Sequence, residues 1–228
     1  MRYSTRINGF ALPTLMVMLA LASIATLLAM RNLWVNDQLL NAEADQLRAQ
    51  HKAEAVLPVA LADILSNATN NDGTTNLRHT AGNATQTHAF FPNTLAEYDM
   101  LRQRLGTNIC NAGICAPHAL NPSATKASDW KSQTGSAMQV SAAHTPYGDN
   151  TAWYWVEVFP NNGNGNGNGN GNGNATANVT STPPFVYRIT TLAKGVTPGS
   201  TTVLQAIWTR TSDTSHTGQW HSWHVLHD

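Results

Sequence analysis

The stretch INGFALPTLMVMLALASIATLLAMRN, residues 7 to 32, sets the tightest limit on what this chain can fold into. From Phe10 to Met30 no side chain is charged, and the nine residues before that run carry Arg2 and Arg6 but no acid. As a helix at about 1.5 Å per residue, the run spans roughly 30 Å, the thickness of a bilayer core. An ordinary secretory signal has a shorter apolar core, then a small-residue cleavage site and polar mature sequence. Here Met30 is followed without a Gly or Pro break by RNLWVNDQLLNAEADQLRAQHKAEA, which is rich in good helix formers. Leu33, Leu40 and Leu47 share one helix face and make an apolar side that something must cover. Pro58 is expected to kink this helix, which should end near Ser66. The two arginines leave the N-terminus in the cytoplasm and send residues beyond about 31 outward. On the residues alone, the alternative is a plain single-pass anchor.

The chain has 228 residues, enough for one domain with appendages. Thirteen Lys and Arg balance thirteen Asp and Glu, so no basic excess exists to release counterions from a nucleic acid. Two cysteines, Cys110 and Cys115, exclude a disulfide-dense scaffold and a four-cysteine zinc site.

The second half of the chain reads as strands. In AWYWVEVFP (152 to 160), Trp153 and Trp155 alternate with Tyr154 and Val156, so the two pairs point to opposite faces. In PPFVYRITTLAKG, Val186, Arg188 and Thr190 alternate with Tyr187, Ile189 and Thr191. A turn at TPGS, 197 to 200, should join residues 185–194 to 202–210 as a hairpin, and QWHSWHVL (219 to 226) adds a last strand. A twisted antiparallel sheet of this kind would cover the apolar face of the long helix. A further short helix is expected in TLAEYDMLRQRL, where Leu95, Tyr98, Leu101 and Leu105 recur on one side.

The Asn-Gly repeat within 161–182 has no apolar side chain until its flank and great backbone freedom, so it reads as a disordered insert between two strands. Calcium ligation by that repeat would need acids, and none lies between Glu157 and Asp213. In CNAGIC, Ala112-Gly113 supplies a turn, and an exported setting favours a disulfide between Cys110 and Cys115, contributing about 2 kcal/mol. Metal ligation is the alternative, but no neighbouring pair completes a site. His216, His221, His224 and His227 cluster in the tail. Residues 221, 224 and 227 differ in parity along a strand, so a solvated strand is preferred to a metal site. The Trp and Tyr residues serve core packing or a sugar-binding platform. N-x-T sequons at Asn67, Asn83, Asn174 and Asn178 reflect composition. No nucleophile motif points to an enzyme.

The string RINGFALPTL narrows the choice of anchor. A short basic leader, a Gly, a Phe and an unbroken apolar helix together resemble the class III signal of type IV pilins. The resemblance implies that a prepilin peptidase cuts between Gly9 and Phe10 and that Phe10 becomes the methylated N-terminus. Pro13 then falls in the first turn, where its missing N–H is harmless. Major pilins carry a Glu at the fifth mature position, and here Thr14 stands there. Loss of that Glu resembles PilX-like minor pilins and their counterpart in type II secretion. The order of the C-terminal segments, above all YRIT…LAKG…TTVLQAIW, resembles the same proteins.

The resemblance implies an α+β fold in which a long N-terminal helix packs on a C-terminal antiparallel sheet. It divides the chain into a leader (1–9), a membrane-spanning half-helix (10–30), an amphipathic half-helix (31–66) and a periplasmic domain (67–228). The implied function is a minor pilin that primes or caps a type IV pilus, supporting adhesion and twitching. Its partners would be other minor pilins, the major pilin, the prepilin peptidase, the inner-membrane assembly platform and a tip adhesin, with no cofactor. The alternatives are a minor pseudopilin of type II secretion and a membrane-anchored binding module.

Overall fold

The computed structural model describes residues 11–65, 95–105, 110–115, 126–161, 185–210 and 217–227. Gly9, Phe10, Ser66, insert residues 162–182, His216 and the four sequons lie outside the described residues. The chain divides into two units, Met1–Ala44 and Asp45–Asp228.

Helix α1 (Ala11–Leu65) runs from the first unit into the second and carries Pro58 in its interior. It is long and apolar enough to cross a membrane. From Leu12 to Ala44 every side chain is exposed. Within that length the hydroxyls of Ser23 and Thr26 are absorbed by the helix itself. Ser23 Oγ donates to the Leu19 carbonyl at 2.7 Å, and Thr26 Oγ1 donates to the Ala22 carbonyl. An apolar solvent demands this internal satisfaction of polar groups.

In the second unit, α1 buries one stripe: Asp45, Ala49, Lys52, Ala53, Val56, Ala60 and Ile64. The spacing is that of a single helix face. Its first half is lined by alanine, Leu57, Leu61 and Leu65 pack at its margin further on, and Leu33, Leu40 and Leu47 are 68, 64 and 50 % exposed. Within the second unit, the side of α1 that carries Leu47 is therefore not the one the sheet takes. Small side chains let the sheet approach the helix backbone, and Thr191 Oγ1 donates to the Ala53 carbonyl at 2.9 Å.

The sheet contains β1 (Cys110–Asn111), β2 (Ile114–Cys115), β3 (Met138–Gln139), β4 (Ala152–Pro160), β5 (Phe185–Lys194), β6 (Thr201–Arg210) and β7 (Gly218–Leu226). Their order is β1-β2-β4-β5-β6-β7, with β3 paired to β4. Strands β4 to β7 pair antiparallel, and β2 joins β4 in parallel. The alternation expected in β4 is present. Tyr154 and Val156 enter the core with α1, whereas Trp155 enters a second core on the opposite face. There it meets Trp130 edge-on at 5.2 Å, from the short helix α3 (Ala127–Lys131); in chain order α2 (Leu95–Leu105) precedes it. Tyr98, Leu101 and Leu105 of α2 are buried in the first core, as their spacing predicts. Burial pushes the Tyr98 phenol up to about 12. Long helix and antiparallel sheet together make the α+β pilin-like arrangement that the resemblance implied.

One departure lies in β7. Its pairing with β6 shifts by a residue: Ile207 faces Ser222 but Trp208 faces Trp220. His221 is the extra residue of a β-bulge. Its ring nitrogen bonds the Thr209 hydroxyl. His224 faces Gln205 across the ladder, so His221 and His224 lie on one side of the sheet despite their parity. His227 follows the strand.

Candidate functional site

The side chains that fix the helix to the sheet converge on the β5–β6 hairpin and the end of β5. Asp45 accepts from two consecutive backbone amides of the turn, Val196 at 2.8 Å and Thr197 at 2.7 Å. These bonds hold its carboxyl well below the usual carboxylate range. Gly195 is required beside it, because a Cβ there would lie 2.6 Å from the Asp45 carboxylate and 2.7 Å from Ser200 Cβ.

Two helical turns on, Lys52 is buried with all three ammonium protons placed. Its Nζ lies 2.6 Å from Asp149 Oδ2, 2.8 Å from Thr151 Oγ1 and 2.8 Å from the Lys194 carbonyl. A buried ammonium is tolerable only with such complete pairing. Burial alone would raise the Asp149 pKa, but the hydrogen bonds from Lys52 and Thr151 prevail and lower it. Asp63 accepts from the Tyr154 hydroxyl at 2.7 Å, and Gln46 donates to Thr202 at 3.0 Å. The LAKG string thus has a physical meaning. Its lysine supplies a carbonyl to Lys52, and its glycine makes room for Asp45.

The sequence reading missed Asp45, Lys52 and Asp149. Asp45 and Lys52 sit seven residues apart on one helix face, and that spacing was the signal available. It also missed the pair on the opposite face, where buried Glu157 receives both the Nε and Nη2 of Arg188, at 2.6 and 2.7 Å. Residues 157 and 188 are direct cross-strand neighbours.

Thr14 lies in the first turns of α1 and is exposed. Cys110 and Cys115 are bonded to each other. They are directly paired across a two-residue hairpin whose central residues, Ala112 and Gly113, both have positive φ, +47° and +81°. Such mirror-image turns match strand twist. A Cβ at Gly113 would lie 2.9 Å from Met138 and from the Tyr154 carbonyl, so only glycine lets this hairpin seat on β3 and β4. Among the described residues, no group of three His, Cys, Asp or Glu is placed to hold a metal.

Residues 111–210 match the family model described as type IV pilus assembly protein PilX, C-terminal. That span runs from the disulfide hairpin to the end of β6 and includes Lys52's partners Asp149, Thr151 and Lys194. No curated protein and no solved structure matches the chain. Residues 111–210 are thus similar to type IV pilus assembly proteins of the PilX family, and this sheet domain follows a helix long and apolar enough to cross a membrane, as in a PilX-like minor pilin.

Proposed function

We propose that this subunit primes or caps a type IV pilus, sits at or near its tip and thereby supports adhesion and twitching. The observation that carries the reading is the PilX C-terminal match joined to a helix whose side chains from Leu12 to Ala44 are all exposed. Such a length of exposed apolar helix needs a lipid or a helical neighbour. In the inner membrane it is an anchor, with its N-terminus cytoplasmic and its sheet domain periplasmic. In the fibre it packs against the helices of the major pilin and other minor pilins.

Thr14 bears on position. A carboxylate at bilayer depth is costly and is retained where an amine compensates it. A subunit with Thr14 offers no carboxylate to the amine of an earlier subunit, but its own Phe10 amine remains able to receive the Glu of the next. That asymmetry favours the first position and few copies. The leader is removed between Gly9 and Phe10 by the prepilin peptidase, and the inner-membrane assembly platform and a tip adhesin complete the set of partners.

N-terminal sequencing of the exported chain tests the processing step, with methylated Phe10 expected. Deletion of the subunit should lower the number of pili more than their length. An intact Met1, or immunogold label spread evenly along the shaft at the density of the major pilin, would overturn the reading.

A further inference from the structure

The bulge in β7 does more than displace a histidine. On a regular strand, residues 220 and 223 would face opposite sides. Here Trp220 faces Trp208 and Trp223 faces Ala206, and both of those partners lie in the core on the α1 side of the sheet. The extra residue at 221 therefore brings both indoles to one face, two ladder steps apart, or roughly 7 Å at the usual strand rise. They are 45 % and 59 % exposed. Across the ladder from Trp220 the indole of Trp208 is buried, 5.3 Å from the Tyr187 ring and close to Gly218 at the start of β7. Two exposed rings thus share one face of β7, bordered by a buried aromatic pair on the neighbouring strands.

Three further observations define what these two rings would take. Strand β7 reads GQWHSWHVL and contains no Asp, Glu, Lys or Arg, so the ligand is uncharged. Among the described residues β7 is the last strand of the sheet, which leaves outward-pointing backbone donors and acceptors beside the rings. The bulge falls between the two tryptophans and breaks the regular spacing that an added strand would need. A flat apolar face with a polar rim fits this combination, and a pyranose ring has both. Its axial C–H face stacks on indole while its hydroxyls meet the strand edge.

We propose that Trp220 and Trp223 form a binding platform for a neutral oligosaccharide, each indole carrying one sugar ring. The bulge at His221 is the device that aligns them. This goes beyond assembly of a pilus and does not depend on the subunit's place in it.

The test uses the full chain in a sugar-free zwitterionic detergent, titrated with cellotetraose and with chitotetraose. Tryptophan emission and calorimetry are the readouts. At least one tetrasaccharide should bind, and its monosaccharide should bind far more weakly because it covers one ring. Trp223→Ala should weaken binding about tenfold or more, the scale of one lost stacking contact. Trp223→Phe should retain most of it, which separates loss of the ring from loss of the fold. Val196→Ala, at the exposed hairpin turn, should change nothing. The proposal is overturned if neither sugar binds at about 10 mM, the weak end of specific recognition. It is equally overturned if binding survives Trp223→Ala, or if the β7 amides prove to be protected in assembled pili by an added polypeptide strand.

Discussion

Helix α1 shows two ways of treating an apolar surface. From Leu12 to Ala44 large side chains stand exposed on every side, and none is buried. From Asp45 to Leu65 the buried stripe is three alanines with Val56 and Ile64, punctuated by an acid and a lysine. The first length is uncharged and apolar as far as Met30, the composition of a helix whose solvent is apolar, and mixed from Arg31 onward. The second is apolar because a sheet must approach closely. Its two charged residues are each held by specific bonds, Asp45 to the 196–197 amides and Lys52 to three oxygens. Hydrophobicity alone therefore does not say which part of a helix is inside a protein. Residue size and paired charges do.

The largest effect expected follows from the Lys52 site. Lys52 is 3 % exposed at its side chain, whereas Asp149 is 35 % exposed. Asp149→Ala leaves a buried ammonium without its counter-ion and should cost about 3 kcal/mol. For a domain of this size, that lowers the melting temperature by roughly 10 °C. Lys52→Met removes the buried charge and leaves a carboxylate that can reach water, so it should cost clearly less. Thermal melts of the two variants measure the difference. Equal losses would mean that the bridge, and not burial of the ammonium, sets the stability of this part of the helix.

A smaller effect follows from acid. The pKa values of Asp45 and Asp149 are both lowered by folding from the ordinary 3.8. Their contribution to stability is thus fully present above that value. It is lost as the pH falls below it towards the folded-state pKa. The melting temperature should be flat from pH 7 to about 5 and fall below about 4. In Asp45→Asn the neutral curve should lie lower, and its acid limb should be shallower, because one of the two linked carboxylates is gone. An unchanged acid limb would show that Asp45 is not part of the linkage.

Much of this architecture was legible in the sequence because strand periodicity is short and strict. The alternation in 152–160 and 185–191 placed the right residues on each face, and the TPGS turn marked the hairpin. The Cys110–Cys115 bond followed from spacing and compartment. Helix faces were harder to read. Leu33, Leu40 and Leu47 gave a clear heptad, but the sheet chose the alanine stripe, whose small side chains carry little hydrophobic signal. Asp45 and Lys52 looked like ordinary solvated charges, since their partners are backbone groups and side chains about a hundred or more residues away. The alignment of Trp220 with Trp223 was not legible at all, because a bulge reverses the parity on which strand reading rests.

The smallest expected change concerns those leucines. Leu40 and Leu47 are exposed, so truncating either to alanine removes little area buried on folding and leaves no cavity in the core. Alanine also has the better helix propensity. The melting temperature of the sheet domain in Leu40→Ala or Leu47→Ala should therefore stay within the range of ordinary surface substitutions, about 0.5 kcal/mol. A neighbour in the fibre that covers this face would lose contact area with each truncation. Pilus counts should then fall in the double variant although the isolated chain melts as before. A melting temperature lowered by more than surface substitutions allow would mean that the leucine face is packed within the chain, and the contrast between the two lengths of α1 would fail.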